Sequence, residues 1–150
     1  MKFPRSPAAW LAGILLAAAA WKMLFIFFWD VIPFNSDEAV VALMARHILA
    51  GARPIFFYGQ AYMGSLDAYL VAAGFAVFGQ AVWVIRLVQG LLYLGVIFTT
   101  YLVGKIAFDS AAAGLLAAAL LIFPPVHVML YTTATLGGYG EALLIGNLLL

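Results

Sequence analysis

The chain has 150 residues, of which 67% are hydrophobic and only 9% are charged, and its mean hydropathy is +1.13. A soluble domain carries about 25% charged residues, so this composition excludes an ordinary water-soluble fold and indicates a protein whose solvent is lipid. The net charge is +1 and no run of Lys or Arg occurs, which disfavours a nucleic-acid partner. The absence of cysteine excludes disulfides and thiolate catalysis.

The first apolar segment, residues 8–29, is long enough to cross a membrane. It follows a basic start that contains Lys2 and Arg5, and its apolar stretch extends beyond the usual core of a signal peptide. We therefore predict an uncleaved anchor whose N-terminus lies in the cytoplasm, following the positive-inside rule. The segment contains one charged residue, Lys22, which we expect to snorkel to the outer surface. The alternative is that Lys22 pairs with an acid.

Residues 30–80 then lie on the outer side of the membrane, and they contain more than a loop. Asn35 and Glu38 have the spacing of a capping box, which predicts the start of a helix. The helix is expected to end near Leu49. Its apolar residues share one face, so we predict a modestly amphipathic helix that lies on the membrane or on other helices.

An aromatic, glycine-punctuated segment, residues 53–64, follows this helix and is predicted to be a loop. Its aromatic side chains, Tyr58 among them, are more typical of a membrane interface than of a sugar-binding platform. The next apolar run, residues 65–78, would form roughly 21 Å of helix, which is short of the ~30 Å hydrocarbon core. We interpret it as an interfacial or re-entrant helix. If it were a true span, the orientation of everything after it would reverse.

Two longer apolar segments come next. Residues 81–104 are predicted to cross from the outside to the inside, which places Lys105 in the cytoplasm as the positive-inside rule prefers. Residues 111–129 are predicted to return to the outer side, with a break or kink at Pro124 and Pro125.

The last polar gap, residues 131–141, is predicted to lie on the outer side again. Residues 142–150 then begin an apolar helix that is too short to cross, so we expect the sequence to be the N-terminal part of a longer protein. The predicted fold class is therefore all-α: a polytopic transmembrane protein with amphipathic and juxtamembrane helices in its first outer loop.

Most of the few acids fall in the predicted outer gaps. Asp37 and Glu38 follow the first apolar segment, Asp67 lies in the short helix, and Glu141 closes the second outer gap. Carboxylates are costly near lipid, so a membrane protein tends to keep them where they act. The simpler explanation for Asp37, Glu38 and Glu141 is that acids favour the first turn of a helix, where they meet its dipole and free N–H groups.

Acids from two outer loops are candidates to converge on one hard divalent cation such as Mg²⁺ or Mn²⁺. Asp37 and Glu141 are the candidate ligands, although no motif with strict metal spacing is present. Arg53 and Arg86 are candidates for binding a phosphate, for which the guanidinium geometry is well suited, although each alone is more typical of an interfacial anchor. The sequence has no GxxxxGK[ST], HExxH or GxSxG motif, so ATP-driven, zinc-protease and serine-hydrolase functions lack their usual support.

Residues 35–51 (NSDEAVVALMARHILAG), followed by 54–70 (PIFFYGQAYMGSLDAYL), resemble the first outer loop of GT-C glycosyltransferases. The nearest relatives would be the protein O-mannosyltransferases and the aminoarabinose and galacturonic acid transferases of lipid A. Residues 137–141 (GGYGE) resemble the second outer loop of the same superfamily. The chain departs from the family in having Gly140 where many relatives have Pro, and in lacking an Asp-x-Asp in either loop.

The resemblance implies transfer of a sugar from a polyprenyl-phosphate donor to a hydroxyl of a lipid, glycan or protein acceptor, with inversion at the anomeric carbon. It also implies a site on the outer face of the plasma (inner) membrane. Asp37 matches the position of the family's catalytic base, and Glu141 matches the second-loop acid. Glu38, Arg53, Tyr58, Asp67 and Glu141 are then the expected substrate-binding residues.

Two other classes of function stay open from the sequence. A transporter or lipid flippase would use acids as a proton or substrate path, but its acids should lie at the membrane midplane. A non-catalytic membrane subunit would need no site of its own.

Overall fold

The computed structural model describes residues 6–28 and 32–150, and this part of the chain is mostly helical. The predicted basic start with Lys2 and Arg5, and the predicted end of the first helix at residue 29, lie outside the described residues. The described elements, in chain order, are α1 (Pro7–Phe27), α2 (Ser36–Leu49), β1 (Phe56–Phe57), β2 (Gln60–Gly64), α3 (Leu66–Phe78), α4 (Val82–Ala107), α5 (Ala111–Leu120), α6 (Val126–Tyr131) and α7 (Tyr139–Leu149).

Within these ranges, two helices are long and apolar enough to cross a membrane, namely α1 with 21 residues and α4 with 26. The shorter apolar helices α3 and α5 have 13 and 10 residues, so α3 spans only about 20 Å. The coarse prediction of a helical protein with membrane-spanning helices is therefore supported, and the finer GT-C architecture remains a proposal.

Helix α2 begins where its sequence predicts. The Asn35 side chain accepts hydrogen bonds from the backbone N–H groups of Asp37 (2.9 Å) and Glu38 (3.0 Å). In return, the Glu38 side chain accepts a bond from the backbone N–H of Asn35 at 3.4 Å. This reciprocal capping box satisfies donors that the first turn of a helix leaves free. The predicted capping box is confirmed.

The segment predicted as an aromatic loop contains a small β-hairpin. Strands β1 and β2 pair antiparallel, with Phe56 opposite Gly64. Gly59 turns the chain with a φ of +80°, a left-handed value that glycine adopts without steric cost. The Ser65 hydroxyl closes the base of the hairpin by donating to the carbonyl oxygen of Pro54 at 2.6 Å.

The region predicted as one helix over residues 111–129 contains two helices, α5 and α6. The break falls at residues 121–125, around Pro124 and Pro125, because proline supplies no N–H to the helix ladder and clashes with the preceding turn. Pro125 is the N-cap of α6.

Helix α4 is the central element of the packing. Its first turns, with Val84 and Ile85, join a buried apolar cluster with α2, α3 and β1, while its later turns, with Tyr93 and Ile97, join a second cluster with α1 and α5. Helix α5 approaches α4 closely at Gly114, where an added Cβ would lie 2.5 Å from the backbone oxygen of Tyr101. Small residues at helix contacts allow such approach in membrane proteins.

Candidate functional site

One face of α4 carries three buried polar side chains. Arg86, Gln89 and Tyr93 lie at positions i, i+3 and i+7 of the helix, and such spacing brings side chains to the same face. Their exposed fractions are 6%, 1% and 1%. Arg86 contacts Glu38, Gln89 contacts Asp67, and the ring of Tyr93 contacts Lys22. The buried polar contacts of three different segments therefore meet on α4.

The first group is Glu38, whose side chain is fully buried. Arg86 donates to Glu38 from Nε to Oε1 at 3.1 Å and from Nη2 to Oε2 at 3.2 Å, and Nη2 also donates to the carbonyl oxygen of Ile32 at 2.8 Å. A two-bond arginine–carboxylate pair is geometrically specific and strong. Glu38 therefore anchors the start of α2 to α4, in addition to closing the capping box.

Asp37, the adjacent acid, lies in a different environment. Its backbone N–H is held by Asn35, its side chain is partly exposed, and its carboxylate has no hydrogen-bond partner within residues 6–28 and 32–150. Successive helical residues point about 100° apart, which explains how one acid is buried in an ion pair while its neighbour stays accessible. Of the two acids at this helix start, Asp37 is the one that can meet a substrate.

The second group is Asp67, in the first turn of α3 and 4% exposed. Gln89 Nε2 donates to its Oδ1 at 2.7 Å, and the Thr135 hydroxyl donates to its Oδ2. Burial raises the pKa of Asp67, and the bonds from Thr135 and Gln89 oppose that rise because they stabilise the ionised form. Gln89 follows Arg86 by three residues, or about 4.5 Å along α4, so the Glu38 and Asp67 contacts occupy adjacent turns of one helix.

Glu141 lies beside Asp67, in the first turn of α7 and 5% exposed. Neither of its carboxyl oxygens has a hydrogen-bond partner among the described residues. Burial, and after it the charge of Asp67, together raise the pKa of Glu141 to about 7. The two acids share a cavity of about 250 Å³, whose other walls include Met63, Leu66 and Ile145.

Two glycines hold the turn that brings Glu141 to this cavity. Gly137 and Gly138 have φ values of +94° and +85°, a left-handed conformation that other residues rarely adopt. A Cβ on Gly137 would also collide with the end of the Met63 side chain. The GGYGE segment therefore needs glycine at residue 137 for both backbone conformation and space.

Lys22 corrects an expectation from the sequence. It is 3% exposed and does not reach the surface; instead, its Nζ donates to the Thr132 carbonyl oxygen (2.9 Å) and to the hydroxyls of Thr132 (2.8 Å) and Thr133 (2.7 Å). The ammonium also lies 4.4 Å from the centre of the Tyr93 ring. No acid pairs with Lys22 in the described part of the chain. The prediction of snorkelling is wrong because the threonine segment after α6 supplies enough oxygen acceptors inside the protein. The alternative, pairing with an acid, finds no partner among the described residues.

Arg53 and Tyr58 lie near the opposite end of α2 from Asp37. Arg53 is exposed and donates from Nη1 to the carbonyl oxygen of Ala52 at 2.8 Å, while the Tyr58 hydroxyl lies 3.1 Å from Nδ1 of His47. His47 follows Asp37 by ten residues, or about 15 Å of helix. Arg53 and Tyr58 therefore do not share the immediate surroundings of Asp37, and their predicted role in substrate binding stays a prediction.

The described residues contain no group of three or more His, Cys, Asp or Glu that could hold a metal ion. Asp37 and Glu141, the candidate ligands, are thus not assembled with a third such side chain. A role for Mg²⁺ or Mn²⁺ stays a prediction.

Sequence reasoning missed Gln89, Thr132, Thr133 and Thr135 as members of this polar interior. A signal for the first was available, because polar residues at i, i+3 and i+7 of an apolar helix indicate a face that is not turned to lipid. The three threonines, each 0% exposed, sit in an irregular segment whose position depends on tertiary contacts alone.

Comparisons with models of protein families, with curated proteins and with solved structures found no match to this chain.

Proposed function

We propose that the protein transfers a sugar from a polyprenyl-phosphate donor to an acceptor hydroxyl at the outer face of the plasma membrane, with inversion of the anomeric carbon. The proposal rests on the resemblance of residues 35–70 and 137–141 to the outer loops of GT-C glycosyltransferases. The apolar composition and the two helices long enough to span a membrane support a membrane-embedded enzyme.

The observation that carries the proposal is the different environment of the two adjacent acids. Glu38 is buried in its ion pair with Arg86, which fixes the start of α2, whereas Asp37 on the same turn keeps a partly exposed carboxylate without a partner in the described residues. A base that takes a proton from a substrate needs this combination of fixed position and free lone pairs.

In the proposed reaction, Asp37 accepts the proton of the acceptor hydroxyl as that oxygen attacks the anomeric carbon. The attack comes from the face opposite the phosphate, so the bond between the anomeric carbon and the phosphate oxygen breaks with inversion. The electron pair of that bond leaves on the lipid phosphate. General base catalysis of this kind contributes about 10²–10⁴ in rate. Arg86 is committed to Glu38, and Arg53 lies near the opposite end of α2 from Asp37, so neither arginine is assigned to the leaving phosphate.

The test is the Asp37→Asn variant, assayed with a lipid-linked sugar donor by the release of polyprenyl phosphate. We expect turnover to fall by about 10² or more while insertion and thermal stability stay unchanged. The matched control is Asp109→Asn, which alters an exposed acid in the turn after α4 and should keep full activity. Near-normal turnover in Asp37→Asn would refute the assignment of the base.

A transporter is a second candidate, because one observation favours it. Lys22, Asp67 and Glu141 are all buried between apolar helices, and ionisable groups in such places frequently form proton paths. Proton-coupled uptake into proteoliposomes that is lost in Glu141→Gln and retained in Asp37→Asn would support transport over sugar transfer.

A further inference from the structure

The proposed sugar transfer does not explain why the carboxyl group of Glu141 is buried without a hydrogen-bond partner in the described residues. This group is buried, it has no hydrogen-bond partner in the described residues, and its neighbour Asp67 is another acid. Buried polar groups in native proteins are almost always hydrogen-bonded, so a fully orphaned carboxylate requires an explanation.

Two ionised carboxylates cannot satisfy each other. Each is an acceptor without a donor, and two like charges in a desolvated site repel strongly. A proton on one of them removes a charge and creates an O–H donor that points at the other. We propose that Asp67 and Glu141 form a proton-binding site, in which one proton is held between their carboxyl groups and ties α7 to α3. This proton site does not depend on the sugar-transfer activity proposed above.

The hydrogen bonds show which acid carries the proton. Both oxygens of Asp67 accept bonds, one from Gln89 and one from Thr135, and such bonds favour the ionised form. Glu141 receives none, so the neutral form is favoured there. The raised pKa of Glu141, about 7, agrees with this assignment.

The charges that surround the pair also fit a single proton. On α4, Gln89 is neutral and Arg86 is committed to Glu38. From α1, Lys22 binds Thr132 and Thr133, two and three residues before the Thr135 that binds Asp67.

The remaining walls of the cavity, which include Met63, Leu66, Gly137 and Gly138, carry no charge. A second negative charge on the acid pair would therefore meet no cation in the walls of the cavity.

The shared cavity gives the proton a route to exchange without unfolding. Its volume of about 250 Å³ exceeds the ~30 Å³ that a water molecule occupies in the liquid. When Glu141 loses its proton, two charges come into contact and the α3–α7 junction weakens. Because the folded pKa lies above the ordinary value of 4.5, stability conferred by this proton is full below about pH 4.5 and is lost as the pH rises through about 7.

The test is infrared spectroscopy of the protein in lipid nanodiscs, with melting temperatures recorded over the same pH range. Wild-type protein should show the carbonyl band of a protonated, buried carboxylic acid at about pH 5 and lose it with a midpoint near 7. Glu141→Gln, which imitates the protonated acid, should lack the band and lose the matching fall in melting temperature at higher pH. The control Asp109→Asn, at an exposed acid, should keep both.

A second variant keeps the proposal testable if Glu141→Gln does not fold. Asp67→Asn places an amide donor against Glu141 and removes the neighbouring charge, so the pKa of Glu141 should fall and the midpoint of the band's loss should move to a lower pH than in wild type. A band that persists in Glu141→Gln, or the same fall in melting temperature in that variant, would overturn the proposal. An increase in melting temperature with MgCl₂ alone, seen in wild type and absent in Glu141→Gln, would replace the proton site by a cation site.

Discussion

Glu38 and Arg86 are 48 residues apart in the sequence and form a two-bond ion pair in the interior, with Nε and Oε1 at 3.1 Å. The pair joins the start of α2 to the second turn of α4. Arg86 also holds the carbonyl oxygen of Ile32 at 2.8 Å, so the segment that leads into α2 is fixed together with the helix. The accessible carboxylate of Asp37 is positioned by this contact, although Asp37 takes no part in it.

Glu38→Gln should therefore destabilise the protein far more than Asp37→Asn. Removing one partner of a buried ion pair leaves an unpaired charge and costs about 3–5 kcal/mol, whereas Asp37 has no side-chain partner to lose among the described residues. Denaturant unfolding in detergent would measure both. The double variant Glu38→Leu with Arg86→Met should recover most of the loss, because two apolar side chains leave no buried charge. Equal losses in Glu38→Gln and Asp37→Asn would contradict the role assigned to the pair.

The sequence predicts some features of Asp37 and Glu38 and not others. The capping box of Asn35 and Glu38 depends on residues three positions apart, so the local pattern was enough to predict it. The ion pair with Arg86 depends on where α4 packs, and no local rule connects positions 38 and 86. Sequence alone predicts two acids at a helix start, and only tertiary packing shows which one remains free.

Gly137→Ala should destabilise the turn before α7 for two separate reasons. Gly137 has a φ of +94°, which costs a residue with a Cβ about 1–2 kcal/mol, and the new methyl group would collide with Met63. Adding Met63→Ala should relieve the collision and leave the conformational cost, so the double variant should recover only part of the loss.

The control is Gly146→Ala in α7, where nothing lies within 4 Å. That change should be neutral or stabilising by up to about 1 kcal/mol, since alanine favours helix.

Lys22 is a buried charge that has no acid partner among the described residues, and it gives a prediction of its own. In Lys22→Met, the hydroxyls of Thr132 and Thr133 keep the bonds that they donate to the carbonyl oxygens of Val128 and Met129, so the loss should be limited to about 1–2 kcal/mol. In Lys22→Glu, a carboxylate would face oxygens whose hydrogens are already donated elsewhere, and the cost should exceed that of Lys22→Met several-fold. Thermal unfolding of the two variants would measure the difference. Similar melting temperatures would show that Lys22 is not enclosed by these oxygens.

The threonine segment illustrates the second limit of sequence reasoning. A lysine near the end of a membrane helix is expected to snorkel because water is the usual source of acceptors. Here the acceptors come from residues more than 100 positions away, in a stretch without regular secondary structure. The hydrophobic pattern is enough to predict the helices. The buried polar contacts between the helices cannot be predicted from it, because they depend on how the helices pack.

Membrane orientation is testable directly, because these 150 residues contain no cysteine and add no background to single-cysteine variants. On the predicted topology, in which α3 does not cross and α4 runs from the outside to the inside, positions before α3 and after α4 should lie on opposite sides. Tyr62, in β2, is 84% exposed, and Asp109, after α4, is also exposed. In intact cells, a membrane-impermeant maleimide should label Tyr62→Cys and leave Asp109→Cys unlabelled, and both should react after lysis. Labelling of both in intact cells would mean that α3 is a true span and that everything after it is inverted, which would put Glu141 on the side opposite Asp37 and remove the basis for a single outer site.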